Sequence, residues 1–214
     1  GDYKKVLEKG IKGIISEIDN SLRIHKNQEE TEFLNGIKKV AEALIEWAHI
    51  CSERAARLAD EVTDAEHKKN LIQLSKALLN VPENKPSGFY EAVLSVYICF
   101  SADPDSLGTL DRYLTPFYMK DIKNGIIVRE DAKEYLQELF LMIQATRHPK
   151  NDRFTRGAES HFCIGGYLPD GSDGFNEVSH LIVESLMELP IYIPQITLRW
   201  TEKTPHDVLR FMMD

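Results

Sequence analysis

The sequence of 214 residues contains no apolar run approaching the roughly 20 residues that a membrane helix needs. It is poor in cysteine: Cys51, Cys99 and Cys163 are widely spaced, and no C-x-x-C pair occurs. An odd count at such spacing argues against a disulfide framework or a zinc site, and points to a reducing cytoplasm. Positive charge is in deficit, with 26 Lys and Arg against 34 Asp and Glu for a formal net charge of −8. That balance disfavours nucleic acid, whose phosphates attract clusters of Lys and Arg. Gly1-Asp2-Tyr3-Lys4-Lys5 is followed by no apolar run, so no secretory leader is read there. Internal repeats and low-complexity segments are lacking as well. What remains is the composition of a globular chain long enough for one large core or two small ones.

The first two thirds carry helical periodicity. Val6, Ile11, Ile14, Ile15, Ile18 and Leu22 recur at steps of three and four. A long amphipathic stretch follows, with Phe33, Ile37, Val40, Ala41, Leu44, Ala48, Cys51, Ala55, Leu58 and Val62 expected on one inward face. Asp64 is placed as the N-cap of a third helix, which ends where Val81-Pro82-Glu83-Asn84-Lys85-Pro86 breaks the pattern. Phe89 to Phe100 is expected to be a well-buried helix. Two more cover Leu110–Ile122, stopped at Asn124-Gly125, and Glu130–Ile143.

After Pro149 the character changes. His161–Tyr167 is short and apolar, with a Gly165-Gly166 pair, and reads as a strand end or turn. Asn176–Leu189 is a helix, and Tyr192–Trp200 is the most strand-like run in the chain. Thr204-Pro205 reads as N-cap and N1 of a last helix. The expected fold class is therefore α/β and mostly helical, a helical part over 1–149 followed by a first β–α–β portion over 150–214.

Several groupings have the right residue types for chemistry. His161 and Cys163 are two apart, so on a strand they share a face; they form either a Cys–His dyad or a core cysteine beside an unrelated histidine. Asp170, Asp173 and Glu177 fall short of a full calcium loop and read as a solvated turn before a helix start. Gly165-Gly166 lacks the spacing of a phosphate or dinucleotide loop and reads as a tight strand end. Glu159, His161 and Arg199 lie near or within the two predicted strands, and parallel α/β folds collect ligands at the carboxyl ends of strands. Arg199 suits a bidentate carboxylate contact; the alternative for all three is an ordinary surface or interface ion pair.

Four segments taken in order carry a resemblance. Gly1-Asp2-Tyr3-Lys4-Lys5-Val6, then Gly10-Ile11, resembles the Gly-Asp-Tyr-Arg-Arg-Val…Tyr-Gly-Ile helix of pyruvate formate-lyase. Gly108-Thr109-Leu110-Asp111-Arg112-Tyr113-Leu114, with Pro116-Phe117-Tyr118 and Asp121, is similar to that family's Gly-Arg-Leu-Asp-Gln-Tyr-Leu segment. Gly165-Gly166, Asp170-Gly171 and Asn176-Glu177-Val178-Ser179 resemble its Gly-Gly…Asp-Gly…Asn-Glu stretch. Pro194–Trp200 with Thr204-Pro205 resembles its second barrel strand and the following helix start. The chain is thus similar, along essentially its whole length, to the pyruvate formate-lyase-like glycyl radical enzymes. Asn176–Ser179 leans toward the dehydratase and lyase branches and Leu198–Lys203 toward pyruvate formate-lyase itself, so the branch stays open.

The resemblance implies a helical wall and the first strands of a ten-stranded β/α barrel, incomplete in this chain. It implies radical carbon–carbon or carbon–heteroatom cleavage of a small-molecule substrate, of formate acetyltransferase or dehydratase and lyase type, in an anaerobic cytoplasm. The radical resides on a glycine and is passed to a loop cysteine. A separate S-adenosylmethionine enzyme with an iron–sulfur cluster installs it, and the complete enzyme is a homodimer. None of Cys51, Cys99 or Cys163 occupies the family's catalytic position, and the Arg-Val-x-Gly-Tyr type radical motif is absent. Both radical sites are therefore expected beyond Asp214, and the chain alone is expected to hold no catalytic residue, no metal and no bound cofactor. Glu159 stands where the family often has Trp or Phe, which implies a polar pocket wall and a substrate other than pyruvate. The expected substrate contacts are Glu159, His161 and Arg199. Two competing readings are a non-catalytic scaffold or interaction module derived from that family, and a Cys–His hydrolase using Cys163 and His161.

Overall fold

The computed structural model describes residues 2–25, 27–145 and 160–213. It divides into two compact units, residues 2–87 and 88–214. The expected change of character at 149/150 lies outside the described residues.

The first unit is helical: α1 (Tyr3–Ile24), α2 (Gln28–Glu61) and α3 (Ala65–Asn80). Asp2, Asn27 and Asp64 cap their starts by accepting from backbone N–H groups of the first turns. The α1 periodicity is interrupted at Gly10, which has φ 67° and ψ 166°. The amides freed by this break are taken up by the segment after α3: Ile11 N donates to Pro82 O at 2.8 Å and Lys12 N to Glu83 O at 2.9 Å. The approach is so close that a Cβ on Gly10 would stand 2.4 Å from Glu83 O.

The inward face of α2 differs from the expectation. Its buried positions are Ala41, Ala48, Ser52, Ala55 and Ala59, whereas Phe33 and Val40 are each 67% exposed. Small side chains line the seam because α3 comes very close, with Ser52 Oγ donating to Ser75 O at 2.7 Å. Periodicity located the stripe, but helix separation decides which half of it turns inward.

The second unit contains α4 (Phe89–Ala102), β1 (Gly108–Thr109), α5 (Leu110–Lys123), α6 (Arg129–Ala145), β2 (His161–Gly165), α7 (Glu177–Met187), β3 (Gln195–Arg199) and α8 (His206–Phe211). As the sequence suggested, α4 is deeply buried: Phe89, Ala92 and Phe100 have no exposed surface. Phe89 N, at its first turn, donates to the buried Asp121 carboxylate of α5 at 2.7 Å. The strands form one parallel sheet in the order β1-β2-β3. β1 was missed because two residues show no alternation; long-range bonds place it, Leu107 N and Ser106 Oγ both donating to His161 O. Phe162 and Ile164 point into the core, where Phe162 stacks on Phe140 of α6 at 5.8 Å between ring centroids. The last helix starts one residue later than expected, with Pro205 as its N-cap. Thr204 instead donates its hydroxyl to Asp173 Oδ1 at 2.7 Å. No helix among the described residues is long and apolar enough to cross a membrane.

One substitution made at two glycines should have opposite effects. Gly10→Ala forces a Cβ into the Glu83 carbonyl at positive φ and should destabilise by about 2–4 kcal/mol. Gly36→Ala, in the exposed middle of α2 with open space around its Cβ position, should stabilise by about 0.5–1 kcal/mol. Urea unfolding of the two variants checks both signs.

Candidate functional site

Strand alternation sorts β2 and β3 into two faces. With Phe162 and Ile164 turned inward, His161 and Cys163 lie on the other face, where the register adds Gln195, Thr197 and Arg199 of β3. Gln195, Thr197 and Arg199 are all exposed. His161 Nε2 lies 2.9 Å from Thr197 Oγ1, a bond that fixes the imidazole across the two strands. Beyond Cys163 and Thr197 the next pair is Gly165 with Arg199, at the carboxyl end of both strands. The Arg199 side chain lies against Gly166: a Cβ there would stand 3.0 Å from Arg199 Cβ and 3.3 Å from its Nε. No acidic partner of this guanidinium occurs among the described residues.

The Gly165-Gly166 turn has φ of 70° and 80°, a backbone region that side chains disfavour. It is held from α5. The Asp111 carboxylate, with no exposed surface, accepts through Oδ2 from Gly165 N at 2.8 Å and from Ser179 Oγ of α7 at 2.8 Å. Burial pushes the Asp111 carboxyl above the usual carboxylate range, against the opposing hydrogen bonds and the Arg112 charge. Arg112 Nη2 donates to Gly165 O at 2.8 Å and to Tyr167 O at 2.7 Å. On the far side Gly174 N donates to Gly166 O at 2.7 Å. Asp173 ties this loop to the end of β3, taking the Thr204 hydroxyl on Oδ1 and Phe175 N at 3.0 Å on Oδ2. Asp170 and Asp173 thus serve turns, and Glu177 pairs with Arg129.

Of the three expected contacts, His161 and Arg199 are brought to one face of the sheet. Glu159 lies outside the described residues. His161 and Cys163 share that face as expected, yet the ring nitrogen Nε2 bonds to Thr197 rather than to the thiol. Cys99, enclosed in α4, has its thiol pushed up to about 12 by burial. The sequence reading missed Asp111, Arg112 and Thr197 as site-shaping residues. For Asp111 a signal existed, an acid amid Leu107, Leu110, Tyr113 and Leu114, all of them buried; for Thr197 only the strand register supplies the reason.

A polar, open sheet face at the carboxyl ends of parallel strands can bind and orient a small polar ligand. The model of the pyruvate formate lyase-like family matches residues 1–214. The isethionate sulfite-lyase of Oleidesulfovibrio alaskensis is 32% identical over 232 aligned residues, covering 97% of this chain and 28% of that protein. The trans-4-hydroxy-L-proline dehydratase of Clostridioides difficile is 28% identical, again covering 97% of this chain and 28% of the relative. A crystal structure of a glycyl radical enzyme from Archaeoglobus fulgidus superposes with a TM-score of 0.85 at 27% identity, covering 99% of this chain and 29% of that one. The chain has the fold of that portion of such an enzyme, and it spans under a third of the length of these relatives.

Asp111→Ala should destabilise by about 2–4 kcal/mol, because Gly165 N–H and the Ser179 hydroxyl lose their acceptor. Asp111→Asn keeps an acceptor oxygen and should cost far less. With the folded carboxyl raised, the native state holds the proton more tightly than the unfolded chain. Wild-type stability from this group is therefore full below the unfolded carboxylate pKa and declines as pH rises through the raised folded one. Urea unfolding across that range should show Asp111→Asn gaining on wild type as pH rises; parallel profiles would refute the burial assignment.

Proposed function

The chain belongs to the pyruvate formate lyase-like family, and from that premise we propose that it is the helical and first-strand segment of a glycyl radical lyase or dehydratase. The reaction class is carbon–heteroatom cleavage in a small molecule. The sulfite-lyase and dehydratase relatives support this over the formate acetyltransferase alternative. The observation that carries the reading is the polar face of β2 and β3 at the carboxyl ends of parallel strands, in a chain matched to the family over its whole length.

In this proposal the parallel sheet of β1, β2 and β3, with α7 between the last two strands in sequence, gives the first strands of the substrate chamber. His161 is a substrate contact whose ring is oriented by Thr197, Arg199 is an anion or scaffold contact, and Glu159 is a third polar contact. Cys51 and Cys99 sit in helices and Cys163 inside β2, so none is assigned the radical role. The loop cysteine and the radical glycine are assigned to sequence outside these 214 residues. A radical S-adenosylmethionine activating enzyme would supply the radical, in an anaerobic cytoplasm, to a homodimeric enzyme. The competing scaffold reading draws on large apolar side chains flanking β3, Tyr192 at 91% and Trp200 at 59% exposed.

The test is anaerobic activation of the complete gene product by its activating enzyme, followed by electron paramagnetic resonance and product analysis. A glycyl radical quenched by air, together with carbon–heteroatom cleavage, is expected. A folded, complete protein that acquires no radical would leave the scaffold reading in its place. In the active enzyme His161→Ala should leave the radical signal intact and lower kcat/KM by about tenfold or more, the worth of one substrate hydrogen bond.

A further inference from the structure

In the first unit one carboxylate is shared between two basic side chains of different kinds. Glu83 belongs to residues 81–87, which lead from α3 to the second unit. Its backbone carbonyl holds Lys12 N, one of the amides freed by the break at Gly10. Its side chain spans both neighbouring helices: Oε1 lies 3.2 Å from Lys12 Nζ of α1, and Oε2 lies 3.1 Å from His49 Nε2 of α2. The Glu83 side chain is 22% exposed, so water screens these contacts less than it screens an open surface pair. The two contacts respond differently to protons. An ammonium stays charged across the physiological range, whereas an imidazole gains and loses its proton within it. His49 Nε2 is enclosed and makes no aligned hydrogen bond, so its contact with Glu83 draws on charge. A neutral ring contributes little there, and in one tautomer its Nε2 lone pair faces a carboxylate oxygen. The charged groups facing His49 are Glu83, with Lys12 behind it, and Glu42, Glu46 and Glu53, which line one open groove with it along α2. Of these carboxylates, Glu83 is the one that pairs with it among the described residues.

We propose that His49 and Glu83 form a proton-operated clasp on the segment that joins the two units. With the imidazole charged, the clasp ties residues 81–87 to α2. It loosens as pH rises through the range in which the ring gives up its proton. Lys12 holds the same carboxylate to α1 at either pH, so the segment slackens on one side rather than leaving. The change reaches α1 as well, because Glu83 O caps the break there. All three side chains belong to the first unit, so the clasp stands apart from the substrate-wall reading above.

The experiment is a pair of double-mutant cycles on the 214-residue chain. Urea unfolding is followed by helical circular dichroism at about pH 5.5 and about pH 8, on either side of the ordinary imidazole range. The first cycle combines His49→Gln with Glu83→Gln, and the second combines Lys12→Gln with Glu83→Gln. A cycle is required because His25 also lies beside a carboxylate, Glu30, and its titration cancels between the variants. At the lower pH the His49–Glu83 coupling should change the unfolding constant about two- to fivefold, the worth of one partly screened ion pair. At the higher pH it should vanish, while the Lys12–Glu83 coupling persists at both. Equal His49–Glu83 coupling at the two pH values, or none at either, would overturn the inference. So would a Lys12–Glu83 coupling lost in the same step, which would place the titration elsewhere. A second readout follows the segment directly. The backbone nuclear magnetic resonance signals of Asn84 and Lys85 should move with pH in step with the His49 ring signals, and stay still in His49→Gln. Movement undiminished in His49→Gln would assign it to another group and remove the clasp.

Discussion

A single buried carboxylate fixes the geometry of the second unit. Asp111, at the first turn of α5, accepts from the backbone at the exit of β2 and from Ser179 in the first turn of α7. Ser179 in turn accepts from Asn176 N in a capping box, with Asn176 Oδ1 taking the amides of Val178 and Ser179. One acid thus links two helices and the end of a strand. Taking a carboxylate out of water is costly, and the bonds it accepts are what make the burial tolerable. Once those bonds are made, the Gly165-Gly166 turn has one direction, and Arg112 on the next residue of the same helix is delivered to its carbonyls. The faces of β2 and β3 follow, because a turn that redirected the chain by one residue would invert which side chains meet the core.

Much of this architecture is written in local pattern. Apolar residues at helical spacing mark α1 to α7, and the β-branched run around Thr197 marks β3. The Asn176 and Asp64 caps are where short polar side chains before helices place them. What local pattern could not supply has a common cause, namely dependence on a distant part of the chain. β1 exists because the carbonyl of His161 is there to receive it. The inward half of α2 is decided by how closely α3 approaches, and the break at Gly10 by carbonyls that arrive after α3 ends. Thr204 looks like an N-cap in isolation; the nearness of Asp173 draws its hydroxyl elsewhere.

The site was legible to the same extent. His161 and Arg199 could be named because strand periodicity and a family pattern both point at them, and they do lie on one face. Thr197, which orients His161, sits in the sequence as an ordinary β-former and gains its part only from the register between strands. Asp111 and Arg112 stood in a familiar segment without visible purpose, since their partners lie more than fifty positions onward. A residue that shapes a site through the backbone of another element leaves little local trace. That is why the direct contacts were nameable while their supports were not.

The break in α1 carries a consequence for how the first unit opens. The amides of Ile11 and Lys12 would be protected by their own helix in an uninterrupted α1; here their acceptors are the carbonyls of Pro82 and Glu83. Their exchange with deuterated solvent therefore reports on the segment after α3 as much as on α1. If that segment peels away, these two amides become labelled while the rest of α1 keeps its internal ladder. The junction between the end of α3 and the middle of α1 thus has a built-in probe of local opening, readable at two backbone positions without any substitution.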